Sequence, residues 1–194
     1  MIKKAVLLSV FISLIQLFFS CDPCVCPDPQ AYEIVYDEIL VTAFNTAGFY
    51  VNPVEDTVYK NAFGITLITN YEMVLIAANI SGGTGLGFSS LMACDCITDS
   101  HTYADPISHA NIYATDALNQ ETMDVTDKFV AFDPYANQQI SINELFEQLE
   151  PWQDLFQFEL ADFDSIPNSA IFTVKLYLES GIKFIEHTEQ INFY

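Results

Sequence analysis

From Phe172 to Leu178 the chain reads Phe-Thr-Val-Lys-Leu-Tyr-Leu, with apolar and polar residues taking turns. A strand places successive side chains on opposite faces, so a repeat of two fits a half-buried strand and no helix. Glu179-Ser180-Gly181 follows, and then a second apolar-rich run from Ile182 to Phe193. Together they predict a β-hairpin, with Gly181 supplying the positive φ of a tight turn. A hairpin that is apolar on one face must bury that face against another layer, which draws the fold toward packed sheets.

The same repeat recurs upstream. Glu33 to Phe44 reads as a strand, with Ile34, Tyr36, Ile39, Val41 and Ala43 as inward candidates. The change of phase at Asp37-Glu38 predicts a bulge. Further strands are expected at Phe63–Thr69 and Tyr71–Ile80, parted near Asn70, and at Ile107–Thr115, Val125–Phe132 and Phe156–Leu160. Residues 45–62 carry Gly48, Asn52, Pro53 and Asn61 and read as a long connection. Residues 81–90, SGGTGLGFSS, lack the lysine of a P-loop, the full G-x-G-x-x-G order and a following helix, so they read as a flexible loop. In ISINELFEQLEPW, Ser141 precedes Glu144 by three and forms a capping box, while Leu145, Phe146 and Leu149 share one helical face. Pro151 stops that helix, and Trp152 is expected to pack it onto the sheets. Many short strands and one short helix near 141–150 predict a mainly β chain, an antiparallel β-sandwich of immunoglobulin-like layout. An open barrel and an α+β arrangement are the alternatives.

The first thirty residues follow other rules. Lys3 and Lys4 precede an apolar run from Ala5 to Phe19, and Ser20 stands before Cys21. A basic start, a short apolar core and a small residue are the marks of a secretory signal. The cysteine at the cleavage point resembles a bacterial lipoprotein signal, although Phe18 holds a place where Leu, Val or Ile is usual. Residues 1–20 are therefore expected to be removed and Cys21 lipidated. Residues 21–30 form a Pro/Cys tether, and 31–194 form a single domain. A plainly secreted chain and a retained helix are the alternatives.

With 26 acids, six lysines and no arginine, the formal net charge is −20 at pH 7. That balance repels phosphate backbones, so nucleic acid is not expected as a partner. Hydrophobic residues make up 51% of the chain, too many for a disordered acidic tail. Beyond Cys21 the cysteines are Cys24, Cys26, Cys94 and Cys96, in C-V-C and C-D-C. Outside the cytoplasm disulfides are the default, and bridging i to i+2 is strained, so pairings that cross between the two segments are expected. Closing that loop of about 70 residues contributes on the order of 4 kcal/mol. A C-x-x-C redox pair at Cys21 and Cys24 would lose Cys21 to the lipid and has no βαβ context, and a four-thiolate zinc site usually spaces its cysteines by two to four residues rather than one.

The stretch from Asp133 to Glu144 places an acid, Asn137, Ile140 and Glu144 as in a calcium loop. Tyr135 and Gln138 occupy places that loop cannot give up, so a strand end and a capped helix are expected instead. Asp133, Asn137 and Glu144 stand as the metal candidates. Asp95, Asp99, His101, Asp105 and His109 read as a polar surface stretch, with a transition metal as the alternative. Neither H-E-x-x-H nor G-x-S-x-G occurs, so no catalytic residue and no cofactor are expected.

Three features carry a resemblance: Cys21 with its C-x-C tether, the Met92-Ala-Cys-Asp-Cys96 stretch, and the segment from Asp105-Pro-Ile to Ser141-x-x-Glu-Leu-Phe146. In these the chain resembles uncharacterised Bacteroidota lipoproteins of about this length. The resemblance implies an envelope location, in the outer membrane at its periplasmic face or the cell surface, and a β-sandwich. It supplies no site residues. The function expected is non-enzymatic: membrane attachment through the lipid, with binding of an envelope protein or glycan or a part in a surface assembly. A carboxylate-dependent hydrolase and a calcium- or metal-stabilised adhesion module are the alternatives.

Overall fold

The structure is a computed structural model that describes residues 29–48, 51–54, 57–78, 98–133, 138–148 and 153–194. Cys21, Cys24, Cys26, Cys94 and Cys96, the glycine-rich stretch and Trp152 lie outside the described residues, as does the expected signal. The chain divides into two compact units. One joins Ala31–Ile76 to His101–Tyr194; the other joins Met1–Gln30 to Ala77–Ser100. In the second unit the Gln30 N–H donates to the Asp99 carboxylate at 2.8 Å.

In chain order the strands are β1 (Gln30–Asn45), β2 (Asn52–Pro53), β3 (Thr57–Val58), β4 (Phe63–Ala78), β5 (Ser100–Tyr103), β6 (Ile107–Asp116) and β7 (Thr122–Asp124). After these come β8 (Phe129–Asp133), β9 (Gln138–Ser141), β10 (Leu155–Leu160), β11 (Ser169–Leu178), β12 (Lys183–His187) and β13 (Ile191–Phe193). A short helix, α1 (Ile142–Glu147), separates β9 from β10. Sheet A runs β2-β1-β4-β10-β8-β9, with β5 also on β1; sheet B runs β3-β13-β11-β6-β7, with β12 also on β11. The strand pairs are mainly antiparallel, and β13 runs parallel to β3. The fold is a β-sandwich, as the alternation predicts.

Alternation decides what goes inside. On β11, Ala170, Phe172, Val174, Leu176 and Leu178 are buried, and on β10 so are Phe156, Phe158 and Leu160. Phe63 and Phe129 of sheet A meet Phe172 and Phe193 of sheet B in tilted and edge-on contacts, with Phe63 4.8 Å from Phe172 and 5.2 Å from Phe193. Each such ring, taken out of water, contributes about 1.5–3 kcal/mol before packing is counted. Gly64 sits where a methyl group would overlap the Phe44 ring and the Phe158 carbonyl oxygen, so β4 approaches β10 closely there. The β11–β12 turn uses Gly181 at φ +89°, as expected.

The phase change in β1 falls where the sequence places it: Ile34 and Tyr36 point in, Asp37 and Glu38 are both exposed, and Ile39 and Val41 point in again. Beyond that Ala43 is only half-buried, and Phe44 goes in instead. Three expectations need correction. Phe63 to Ala78 is one strand of 16 residues, not two parted at Asn70. The Asn70 side chain does not turn the chain; its amide donates to Glu38 at 2.6 Å. Val125 to Lys128 is no strand: Val125 is buried, and Thr126–Lys128 forms a 3-10 turn before β8 begins. Ile182 to Phe193 is broken in two by buried Thr188, whose N–H donates to the Phe172 carbonyl while its hydroxyl accepts the Phe172 N–H.

Candidate functional site

An open cleft of about 710 Å³ lies between the β6–β7 edge of sheet B and the N-terminus of α1. Its polar lining comes from Asn111, Asp124, Thr126 and Asp127 on one side and Gln139, Ser141, Asn143 and Glu144 on the other. Phe129, Val130, Ile140 and Ile142 form the apolar floor.

The first wall is built by a local hydrogen-bond device. Asp124 accepts the Thr126 N–H at 3.0 Å and its hydroxyl at 2.6 Å, a turn that an aspartate two residues before a threonine favours. The Thr126 hydroxyl oxygen accepts the Ile112 N–H at 2.9 Å, and the Val125 N–H donates to the Ile112 carbonyl at 2.9 Å. The edge of β6 beyond the reach of β7 is thus satisfied by a side chain and a turn rather than by another strand. Farther along the same edge, the Asn143 carboxamide oxygen accepts the Ala110 N–H at 3.4 Å and ties α1 to sheet B.

The second wall is the start of α1. The expected capping box is present: the Ser141 hydroxyl accepts the Glu144 N–H at 3.2 Å, and the Glu144 carboxylate accepts the Ser141 N–H at 2.9 Å. Leu145 and Phe146 are buried, and Phe146 packs edge-on against Phe156 and Phe158 of sheet A. The helix therefore holds to both sheets and fixes the cleft between them. It ends at Glu147, short of the expected span to 150, of which residues 149 and 150 lie outside the described residues.

Electrostatically the cleft is anionic. The Ser141 N–H, and after it the Ser141 hydroxyl, hold the Glu144 carboxyl below its usual range, so Glu144 stays ionised. That is the reverse of the raised value a general acid needs in a two-carboxylate hydrolase. Asp162, outside the cleft, is also lowered, by its 2.7 Å ion pair with Lys128. The Asp127 carboxylate is exposed and takes no hydrogen bond among the described residues.

Of the metal candidates, only the Asp133 backbone and Glu144 are among the described residues. Asp133 ends β8 and pairs in register with Gln138 of β9, so residues 134–137 join the two strands of a hairpin. Glu144 belongs to the helix cap; Asn137 and the Asp133 side chain lie outside the described residues. In the second polar cluster Asp95 lies outside the described residues, and the others each have a partner close by. Asp99 receives the Gln30 N–H, and His101 stacks on Tyr32. Asp105 accepts the N–H and the hydroxyl of Ser180, clamping the β11–β12 turn, and His109 stacks on Tyr177. Among the described residues no group of three or more His, Cys, Asp or Glu is placed to hold a metal ion.

Asn111, Asp127, Gln139 and Asn143 carry no local sequence signal of a site, whereas Asp124-Val-Thr126 is an aspartate turn signature. Compared with protein-family models, with curated proteins and with solved structures, the chain matches none.

Proposed function

We propose that the chain is a lipid-anchored protein of the cell envelope whose sandwich binds a partner without chemical turnover. The anchor is supported by the basic start, the short apolar run and Ser20-Cys21. The observation that carries the binding role is the open cleft, where hydroxyl, carboxamide and ionised carboxylate groups converge over an apolar floor. A concave surface with a few placed polar groups is the common form of a ligand site. Its ionised rim disfavours anions and suits hydroxyl-rich or amine-bearing groups, such as those of an envelope glycan. The lowered Glu144 is unsuited to be the general acid of a hydrolase, since an acid held ionised has no proton to give a leaving group.

Nuclear magnetic resonance of the isotope-labelled chain, titrated with neutral and amine-bearing envelope oligosaccharides, tests this reading. Amide shifts at Thr126 and Ser141–Glu144, with the sugar recovered intact, are expected. Cleavage of the sugar, or shifts that avoid these positions, would overturn it.

A further inference from the structure

The pleat that buries Phe172, Val174 and Leu176 turns the alternate residues of sheet B toward solvent. Register places them in rows across three strands. Lys183 of β12 lies beside Tyr177 of β11 and His109 of β6; Ile185 lies beside Lys175 and Asn111; His187 lies beside Thr173 and Tyr113. Within these rows the Lys175 ammonium stands 4.2 Å from the centre of the Tyr113 ring. His109 and Tyr177 stack at 4.5 Å with their planes 7° apart, and the Thr173 hydroxyl meets His187 Nδ1 at 2.8 Å.

Among the described residues, this face gathers lysines that have no carboxylate partner. The chain has 26 acids against six lysines. Lys3 and Lys4 belong to the basic start, Lys60 donates to the Ile166 carbonyl at 2.6 Å, and Lys128 is paired with Asp162. The remaining two, Lys175 and Lys183, share the outer face of sheet B with two of the three histidines, and neither is paired with a carboxylate among the described residues. No outward position of these rows on β12, β11 or β6 carries a carboxylate. Those nearby stand at the margins: Asp124 on β7 beside Tyr113, Asp105 and Glu179 at the turn, Glu186 on the other side of β12, and Glu189 beyond its end. Desolvation, with Asp124 and Tyr177 adding to it, holds the Tyr113 hydroxyl above its usual range and keeps it an uncharged donor.

We propose that the outer face of sheet B binds an acidic polysaccharide, a carbohydrate chain carrying carboxylate or sulfate groups. Ammonium groups meet the anionic substituents as point charges. Tyr113, Thr173 and Asn111 offer hydroxyl and carboxamide partners to the sugar hydroxyls. A folded protein partner fits less well, because stable protein interfaces have an apolar centre and a polar rim. Here the centre is Lys175, Thr173 and Tyr113, and the apolar Ile185 lies on the outermost strand of its row. The acids elsewhere on the chain are screened over about 8–10 Å at ordinary salt, so the local cations govern contact at this face. This surface shares Asn111 with the rim of the cleft, but its lysines lie outside that lining, and it stands or falls without the cleft.

The test is calorimetric titration of the full chain with polygalacturonate and with dextran sulfate. Neutral dextran, polyglutamate and a single-stranded DNA oligonucleotide serve as competing probes. Binding of either acidic polysaccharide is expected, weakening as salt rises and falling about tenfold in the double variant Lys175→Gln/Lys183→Gln. Lys128→Gln, which removes a lysine elsewhere, is expected to bind as the parent does. Should the double variant melt abnormally, Lys183→Glu on the exposed strand gives the same reading with less disturbance. Unchanged affinity in the lysine variants, no binding to either acidic polysaccharide at low salt, or equal binding to polyglutamate or DNA would each overturn the proposal.

Discussion

Strand β11 shows two unlike surfaces within ten residues. Its inner side, Ala170, Phe172, Val174, Leu176 and Leu178, is at most 5% exposed and carries no polar atom beyond the backbone. Its outer side, Ile171, Thr173, Lys175 and Tyr177, is half-buried, polar at its centre and flanked by imidazoles and phenols. Neighbouring residues such as Phe172 and Thr173 thus answer to different demands. One is fixed by the opposite sheet, the other by whatever lies outside. A net charge of −20 conceals this, because a sum over the chain ignores how the pleat sorts residues by side.

The contrast can be broken most severely from within. Phe172→Ala should cost about 3–5 kcal/mol, since its ring meets Phe63, Phe129 and Phe193 and the cavity left behind cannot collapse onto a backbone held from both sides. Equilibrium denaturation reads this directly; a loss below 1 kcal/mol would mean that the ring cluster does not hold the sheets together. Gly64→Ala should follow at about 1–3 kcal/mol, because its methyl meets the Phe44 ring and a carbonyl oxygen that cannot move away. A variant as stable as the parent would show that β4 and β10 are less closely packed than described.

Ser141→Ala tests the cleft wall rather than the core, and about 1 kcal/mol is expected from loss of the N-cap. Its pH dependence follows from Glu144, whose folded pKa is lowered. The stabilisation is present above the unfolded value of about 4.3 and is lost as pH falls through the folded one. The difference between Ser141→Ala and the parent should therefore narrow in acid, and a difference that widens there would refute the assignment. Smallest of all, Thr173→Ala should change stability by no more than about 0.5 kcal/mol. A large loss would make the outer face structural and remove the contrast with Phe172.

Where one residue's neighbours are set by local periodicity, the chain itself declares the outcome. The hairpin at 172–187, the phase change at Asp37-Glu38, the Ser141–Glu144 cap and Gly181 are of that kind. Elsewhere a distant partner overrides the local signal. Asn70 looks like a break but finds Glu38, and Thr188 looks like one more strand residue but bonds back to Phe172. Asp133 and Glu144 have calcium-loop spacing, yet a hairpin and a helix cap claim the stretch. The cleft was illegible for the same reason: Asn111, Thr126 and Asn143 meet only after β6, the 3-10 turn and α1 have packed. The cationic rows were half legible, since Thr173, Lys175 and Tyr177 alternate visibly, but the pairing that adds His109, Tyr113 and Lys183 is tertiary.

Both surfaces matter to the proposed function only if the sandwich is presented outside the cytoplasm on a lipid anchor. The intact mass of the protein from native membranes, taken with and without reduction and thiol alkylation, tests that most directly. The account predicts a chain starting at Cys21, carrying acyl groups and showing no free thiol before reduction. A chain without acyl groups, or one with Cys24, Cys26, Cys94 and Cys96 all free, would contradict it.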